Sequence, residues 1–226
     1  MCCTNLVRIF PNVSDLVDTL SDLIVNQLTA AVADRGRASL IVPGGQTPKY
    51  LFDGLAGRHA PWSQVDIALT DERWTPDEPL VSNEHLVRER LLRGRAAEAA
   101  FTSFRHGDDL AMARDMAEAA VSRIAHPFDV SVLGMGADGH VASLFPNGVT
   151  LRSGALLEAV HRPGEGAAEN RLTLTAEALQ TSRLIALLIT GPEKLSALTR
   201  PAAGELTPLR SLMHAAGGRF EVFYAP

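Results

Sequence analysis

An acid and an imidazole stand two residues apart in a glycine-rich stretch, Asp138-Gly139-His140, and no other pair in this chain is as well suited to moving a proton. Imidazole titrates nearest neutral pH, and a carboxylate beside it can fix its tautomer and stabilise the imidazolium that forms. The stretch runs from Leu133-Gly134-Met135-Gly136 through His140-Val141-Ala142-Ser143-Leu144-Phe145-Pro146, directly after the short β-branched run Phe128-Asp129-Val130-Ser131-Val132-Leu133. That run has the composition of a buried strand, and open α/β sheets bind ligands just past such strand ends. No His-x-x-x-His or His-Glu-x-x-His pair accompanies His140, so no metal is expected there and an acid–base role is.

Three further polar clusters follow apolar runs. In Gly44-Gly45-Gln46-Thr47, exposed amides and a helix N-terminus suit a phosphate, with Thr47 read as the N-cap and Pro48 as the first helical residue. A plain tight turn is the alternative, and the lysine of a P-loop is missing, so a nucleoside triphosphate is not expected. In Asp71-Glu72-Arg73, the guanidinium can bind an anion or a developing oxyanion bidentately while one carboxylate holds it in place; a solvated charged loop is the alternative. Asn83 either lines the same mouth or caps the helix that follows. In Gly191-Pro192-Glu193-Lys194, a lysine in a first helical turn opposes the helix dipole and asks for an anion to compensate; an ordinary first-turn helix residue is the alternative. Arg171, at the start of the apolar run Leu172-Thr173-Leu174, is read with Lys194 as a phosphate ligand, a solvated strand end being its alternative.

Gly134, Gly136 and Gly139 also satisfy G-x-G-x-x-G, and Glu158 lies at the distance of a ribose-binding acid. A dinucleotide site nevertheless needs a long crossover helix, whereas a helix opened by Gly139 would meet Pro146 within a few residues.

The elements that must position these residues alternate along the chain. Hydrophobic pattern and caps predict strands over 7–10, 39–42, 65–69, 101–104, 128–133, 156–160, 171–175, 184–190 and 220–224. Helices are predicted over 14–32, 47–55, 82–92, 108–124, 192–199 and 208–215. This βαβ rhythm implies an α/β fold in three layers, a mostly parallel sheet with helices on both faces. In such a sheet the four polar clusters share one edge.

Composition narrows the partners. A chain of 226 residues with 46% hydrophobic residues is read as one domain over 1–226. Its net charge of −5, with acids and bases mixed, gives no basic stripe for nucleic acid. Cys2 and Cys3 are adjacent, which suits neither a stapling disulfide nor a metal cluster and fits a reducing cytoplasm. No apolar run of roughly 18 residues and no signal-peptide pattern is present, so neither membrane nor export is expected.

Taken together, Pro43-Gly44-Gly45-Gln46-Thr47-Pro48, Thr70-Asp71-Glu72-Arg73 with Ser82-Asn83, the Gly134 to Pro146 stretch, Arg171-Leu172-Thr173-Leu174-Thr175 and Gly191-Pro192-Glu193-Lys194 resemble, in order and over nearly the whole chain, the glucosamine-6-phosphate isomerase/6-phosphogluconolactonase family. The resemblance implies a Rossmann-like, sugar-phosphate isomerase-like fold. It is nearest the lactonase branch, which implies hydrolysis of 6-phospho-D-glucono-1,5-lactone to 6-phosphogluconate in the oxidative pentose phosphate pathway, with a small sugar-phosphate lactone as partner, no cofactor, and a monomer or weak homo-oligomer. On this expectation His140 is the general base, Asp138 orients it, and Arg73 stabilises the oxyanion. Gly44, Gly45, Thr47, Asp71, Arg171 and Lys194 hold the substrate and its phosphate. The family's first motif commonly begins with serine and has serine before its threonine. Pro43 and Gln46 stand there, so side-chain phosphate contacts are not expected from those two positions, while backbone contacts survive.

Two rivals differ in recognisable ways. Deaminases and isomerases of the same family typically continue from Asp-Gly-His into Ile-Ala-Phe-Asn-Glu-Pro and carry Asp-Glu-Tyr in the earlier loop. Ser143-Leu144-Phe145-Pro146 and Arg73 occupy those places here. A non-catalytic sugar-phosphate sensor would carry an added module, for which no segment is spare.

Overall fold

The computed structural model describes residues 6–75, 82–145, 154–162, 169–199 and 207–226. Strand β1 (Leu6–Ile9) leads into helix α1 (Val13–Arg35), which starts where the Asn12 side chain accepts from the Asp15 amide and stops at Gly36 with φ 76°. Those caps extend the helix beyond the expected 14–32 at both ends. Leu16, Leu20, Ile24 and Leu28 form its buried stripe, the spacing an amphipathic helix requires.

β2 (Ala38–Val42), α2 (Gln46–Ala56), β3 (Val65–Leu69), β4 (Asp71–Arg73), α3 (Asn83–Arg90), β5 (Ala100–Thr102), α4 (Leu110–Val121) and β6 (Val130–Leu133) follow. The remainder comprises β7 (Leu157–His161), β8 (Asn170–Leu174), α5 (Ala176–Gln180), β9 (Leu184–Thr190), α6 (Pro192–Thr199), α7 (Pro208–Ala216) and β10 (Phe220–Ala225). The short helix α5, capped by Thr175, was not expected from the sequence.

Among the described residues, seven strands form one sheet in the order β1-β10-β9-β6-β2-β3-β5, and every neighbouring pair is parallel. Helices cover both faces. β2, β6 and most of β9 are buried throughout, as strands covered on both sides must be. Buried Asp129 accepts from the Ser39 amide at 2.9 Å and from Arg35, tying the start of β6 to β2. Trp62, Phe52, Phe104, Phe128, Phe220 and Phe223 are the largest side chains fully withdrawn from solvent.

Two sequence expectations are corrected. The strands expected near 156–160 and 171–175 do not join the parallel sheet; β7 and β8 pair antiparallel with each other and with β4 in a separate sheet ordered β4-β8-β7. Asp71-Glu72-Arg73, expected as a loop past β3, is itself the strand β4.

From β2 the chain adds β3 and β5 on one side of the sheet, then returns to place β6, β9 and β10 on the other. The order therefore reverses between β2 and β6, and the loops leaving their carboxyl ends part to open a crevice, the position where open α/β sheets take ligands. Among the described residues no helix is long and apolar enough to cross a membrane.

Candidate active site

A cleft of about 180 Å³ lies at that reversal, lined by Pro43 to Pro48, Asp71, Arg73, Asn83, Gly134 to Gly136, His140, Ala142, Arg171, Leu188 and Lys194. The four polar clusters expected at one sheet edge do meet there.

On the β2 side, two glycines are required for different reasons. Gly45, which begins α2, has φ 104°, a conformation open to glycine and strained for other residues. Gly44 is required for space: a Cβ there would lie 1.7 Å from Asn83 Oδ1. Asn83 therefore sits in the floor of the cleft, its Nδ2 donating to the Asp71 carbonyl at 2.8 Å. Thr47 is not the N-cap expected of it. It lies inside α2, and its hydroxyl is 3.0 Å from that of Thr190 at the end of β9. The cap position falls to Gly45 because the chain can turn into the helix only through that residue's positive φ.

On β4, alternate residues face opposite ways. Glu72 is fully buried and receives the amides of Arg73, Asn83 and Glu84 and the Ser82 hydroxyl, all within 2.7–2.8 Å. Burial raises its pKa above the usual carboxylate value, and those four hydrogen bonds oppose the rise. Glu72 is thus the anchor of α3 and the solvated-loop alternative falls. Asp71 and Arg73 face the cleft. Asp71 accepts from the Thr70 and Ser143 hydroxyls, each at 2.8 Å, and the second bond fastens the 134–145 loop to β4. Arg105 donates to the carbonyls of Arg73 and Thr75 and steadies the end of the strand.

The antiparallel register sets Arg73 directly opposite Arg171 on β8. Arg171 is buried, which excludes the solvated strand end considered for it. Lys194 enters from the first turn of α6, half-buried, and desolvation lowers its pKa from the ordinary lysine value.

The 134–145 loop carries the dyad. His140 Nδ1 lies 2.5 Å from Asp138 Oδ1, which also accepts from the His140 amide at 3.2 Å. That pairing leaves Nε2 as the ring nitrogen available to a ligand. A Cβ on Gly136 would come within 2.2 Å of His140 Cε1 and 2.7 Å of Asp138 Oδ1, so glycine is needed here for the dyad to exist. Burial alone would raise the Asp138 carboxyl, but the hydrogen bonds from His140, with the charges of His140 and Arg162, outweigh it and hold the pKa below the usual value.

The dinucleotide alternative is removed by the same loop. Gly139, at φ 88°, opens no helix; isolated bridges join Met135 to Val141 and Val141 to Leu144, so the loop folds back on itself. Pro146, on which the sequence argument leaned, lies outside the described residues. Glu158 is in β7, opposite Thr173.

Sequence reasoning missed Arg162 and Phe145. Arg162 donates to Asp138 Oδ2 at 3.2 Å, and its guanidinium lies 4.0 Å from the centre of the Phe145 ring. The same ring is 4.7 Å from that of His140 and 5.6 Å from the Arg171 guanidinium. Nothing in the local pattern flags an arginine at a strand end or one aromatic among apolar neighbours. Among the described residues no group of three His, Cys, Asp or Glu is placed to hold a metal.

A cationic cleft at the switch point of a parallel sheet, with an acid–imidazole pair at its edge, defines a sugar-phosphate-type α/β fold, and residues 11–219 match the family described as glucosamine-6-phosphate isomerases/6-phosphogluconolactonase. The chain belongs to that family. It is 39% identical to the 6-phosphogluconolactonase of Rhizobium meliloti (strain 1021), covering 97% of this chain and 98% of that protein. It is 41% identical to the 6-phosphogluconolactonase of Caulobacter vibrioides, over 84% of each. Among solved structures, a 6-phosphogluconolactonase from Shewanella baltica OS155 superposes with a TM-score of 0.90 at 36% identity, covering 98% of both chains.

Proposed function

We propose that this chain hydrolyses 6-phospho-D-glucono-1,5-lactone to 6-phospho-D-gluconate, the second step of the oxidative pentose phosphate pathway. The observation that carries this reading is one cleft lined by His140, whose Nδ1 is held by Asp138, and by Arg73, Arg171 and Lys194. Hydrolysis of a phosphorylated lactone asks for that combination, a base for water and fixed positive charge for a phosphate and an oxyanion. The 6-phosphogluconolactonases to which the chain is similar support it.

With Nδ1 held by Asp138, His140 Nε2 takes a proton from water as its oxygen bonds to C1 of the lactone. The carbonyl electrons move onto oxygen, where Arg73 and loop amides receive the charge. Collapse of the tetrahedral intermediate breaks the bond from C1 to the ring oxygen, and the imidazolium gives its proton to that leaving oxygen. The Gly44 and Gly45 amides, Thr47, Arg171 and Lys194 hold the 6-phosphate, so that remote binding energy positions C1. Asp71, a carboxylate, serves the substrate by accepting from a sugar hydroxyl. The whole chain acts as one cytoplasmic domain and needs no cofactor.

Glucose-6-phosphate dehydrogenase can supply the lactone in situ, with acid release followed against the spontaneous rate. The chain accelerates release, and His140→Gln lowers kcat by about 10²- to 10⁴-fold with unchanged circular dichroism and Tm. No acceleration by the intact chain, or ammonia release from glucosamine 6-phosphate in its place, overturns the reading.

A further inference from the structure

The dyad stands on exposed ground. Asp138 has 40% of its side chain in solvent, and its chain neighbours Ala137 and Gly139 have no side chain large enough to pack against it. An exposed aspartate on such a loop has several rotamers open to it. The one present aims Oδ1 at His140 Nδ1. The His140 contacts occupy Oδ1 alone, which leaves rotation of the carboxylate to be set by whatever holds Oδ2.

Arg162 holds it. The residue follows β7 in the small antiparallel sheet, its amide donates to the Glu169 carbonyl at 2.7 Å, and its guanidinium reaches Oδ2 while lying over Phe145. Phe145 in turn packs on the His140 ring. Asp138, His140, Phe145 and Arg162 therefore close a ring of contacts in which each half of the dyad has a second support, one polar and one aromatic. The support comes from the sheet that also presents Arg73 and Arg171, so it fixes the proton-moving pair relative to the cations.

We propose that Arg162 is a positioning residue for the reaction, clamping the Asp138 carboxylate so that His140 keeps its proton on Nδ1 and presents a bare Nε2 to water. This rests on the hydrolytic reading above. Arg162 acts through Asp138 and does not touch the substrate. Among the described residues, the other charged groups lining the cleft are Asp71 and Arg73 on β4, Arg171 on β8 and Lys194 on α6.

Three variants of the full chain test the proposal: Arg162→Ala, Arg162→Lys and Phe145→Leu. Arg162→Ala lowers kcat roughly tenfold to a hundredfold, the scale of a misplaced reacting group, while KM for the phosphorylated lactone changes less than twofold. Arg162→Lys keeps the charge but lacks the planar fork and stack, and recovers only part of kcat. Phe145→Leu loses kcat in the same direction. The ring ¹⁵N resonances of His140, assigned by their loss in His140→Gln, show Nδ1–H in the parent chain and a mixture of tautomers in Arg162→Ala. A rise in KM at constant kcat would make Arg162 a substrate ligand, and an unchanged His140 tautomer with full kcat would leave it no part in the reaction; either overturns the proposal. The tautomer measurement needs no turnover, so an inactive parent chain refutes the hydrolytic reading, while an unchanged His140 tautomer in Arg162→Ala by itself still overturns the role of Arg162.

Discussion

Gly136 shows how much of a catalytic arrangement can rest on an atom that is missing. Its hydrogen leaves the volume that the His140 ring and the Asp138 carboxylate occupy, and a methyl group there meets both. Gly136→Ala is expected to turn the imidazole out of line and lower kcat by about 10²-fold, with Tm shifted by only a few degrees because the loop is at the surface. Steady-state kinetics beside a thermal melt check this; wild-type turnover would mean that the ring works from another position. Lys194 belongs to the same scale. Burial without a bound anion pushes its pKa down, so its charge is lost as pH rises at values below the ordinary lysine range of about 10.4. Affinity for 6-phosphogluconate, measured by calorimetry, should therefore fall on the alkaline side before a free lysine would titrate. Lys194→Met should weaken binding roughly tenfold to a hundredfold at neutral pH and flatten that alkaline fall. Both residues were legible in the sequence, one as a loop glycine and the other as a cation in a first helical turn. Arg162 was not, because the Asp138 it serves is brought to it only by folding.

At the scale of elements, β4 and α3 work as one unit through Glu72. Its carboxylate is the shared acceptor for two amides at the start of α3, the Ser82 hydroxyl and the Arg73 amide, and Arg73 is the next residue along the strand. Glu72→Ala leaves buried donors unmet and is expected to cost about 2–4 kcal/mol, read by urea unfolding. The folded pKa of Glu72 lies above its unfolded value, so the folded state binds the extra proton. The advantage of the parent chain over Glu72→Ala is consequently greatest below pH about 4 and shrinks as pH rises through the folded pKa. A gap that stays constant from pH 4 to 7 would contradict the burial argument. Two of the expectations that failed at this scale have local causes. Thr-Pro carries the signature of an N-cap and first helical residue, but Gly45 turns the chain earlier and Thr47 is spent on Thr190. Asp71-Glu72-Arg73 reads as a loop because a charged triplet usually is one, and nothing nearby in sequence announces that β8 will pair with it.

Across the whole molecule, a net charge of −5 sits on a chain whose cleft gathers Arg73, Arg171 and Lys194. Attraction of a phosphorylated substrate is therefore local and screened by salt. Raising ionic strength from 0.05 to 0.5 M is expected to raise KM for the phosphorylated lactone by roughly threefold or more and to leave turnover of unphosphorylated gluconolactone unchanged. Equal salt responses of the two substrates would show that the cations do not meet the phosphate. Sequence by itself determined the alternation of strands and helices and the four strand-end clusters, because apolar periodicity, caps and turn glycines are written within a few residues of where they act. Its motifs likewise carried the resemblance to the family. Tertiary structure alone decided that β4, β8 and β7 leave the parallel sheet to form one of their own, that Arg73 faces Arg171, and that Arg162 and Phe145 close on the dyad. Those pairings join residues far apart in the chain, and their register is set by packing of whole elements, for which no local pattern codes.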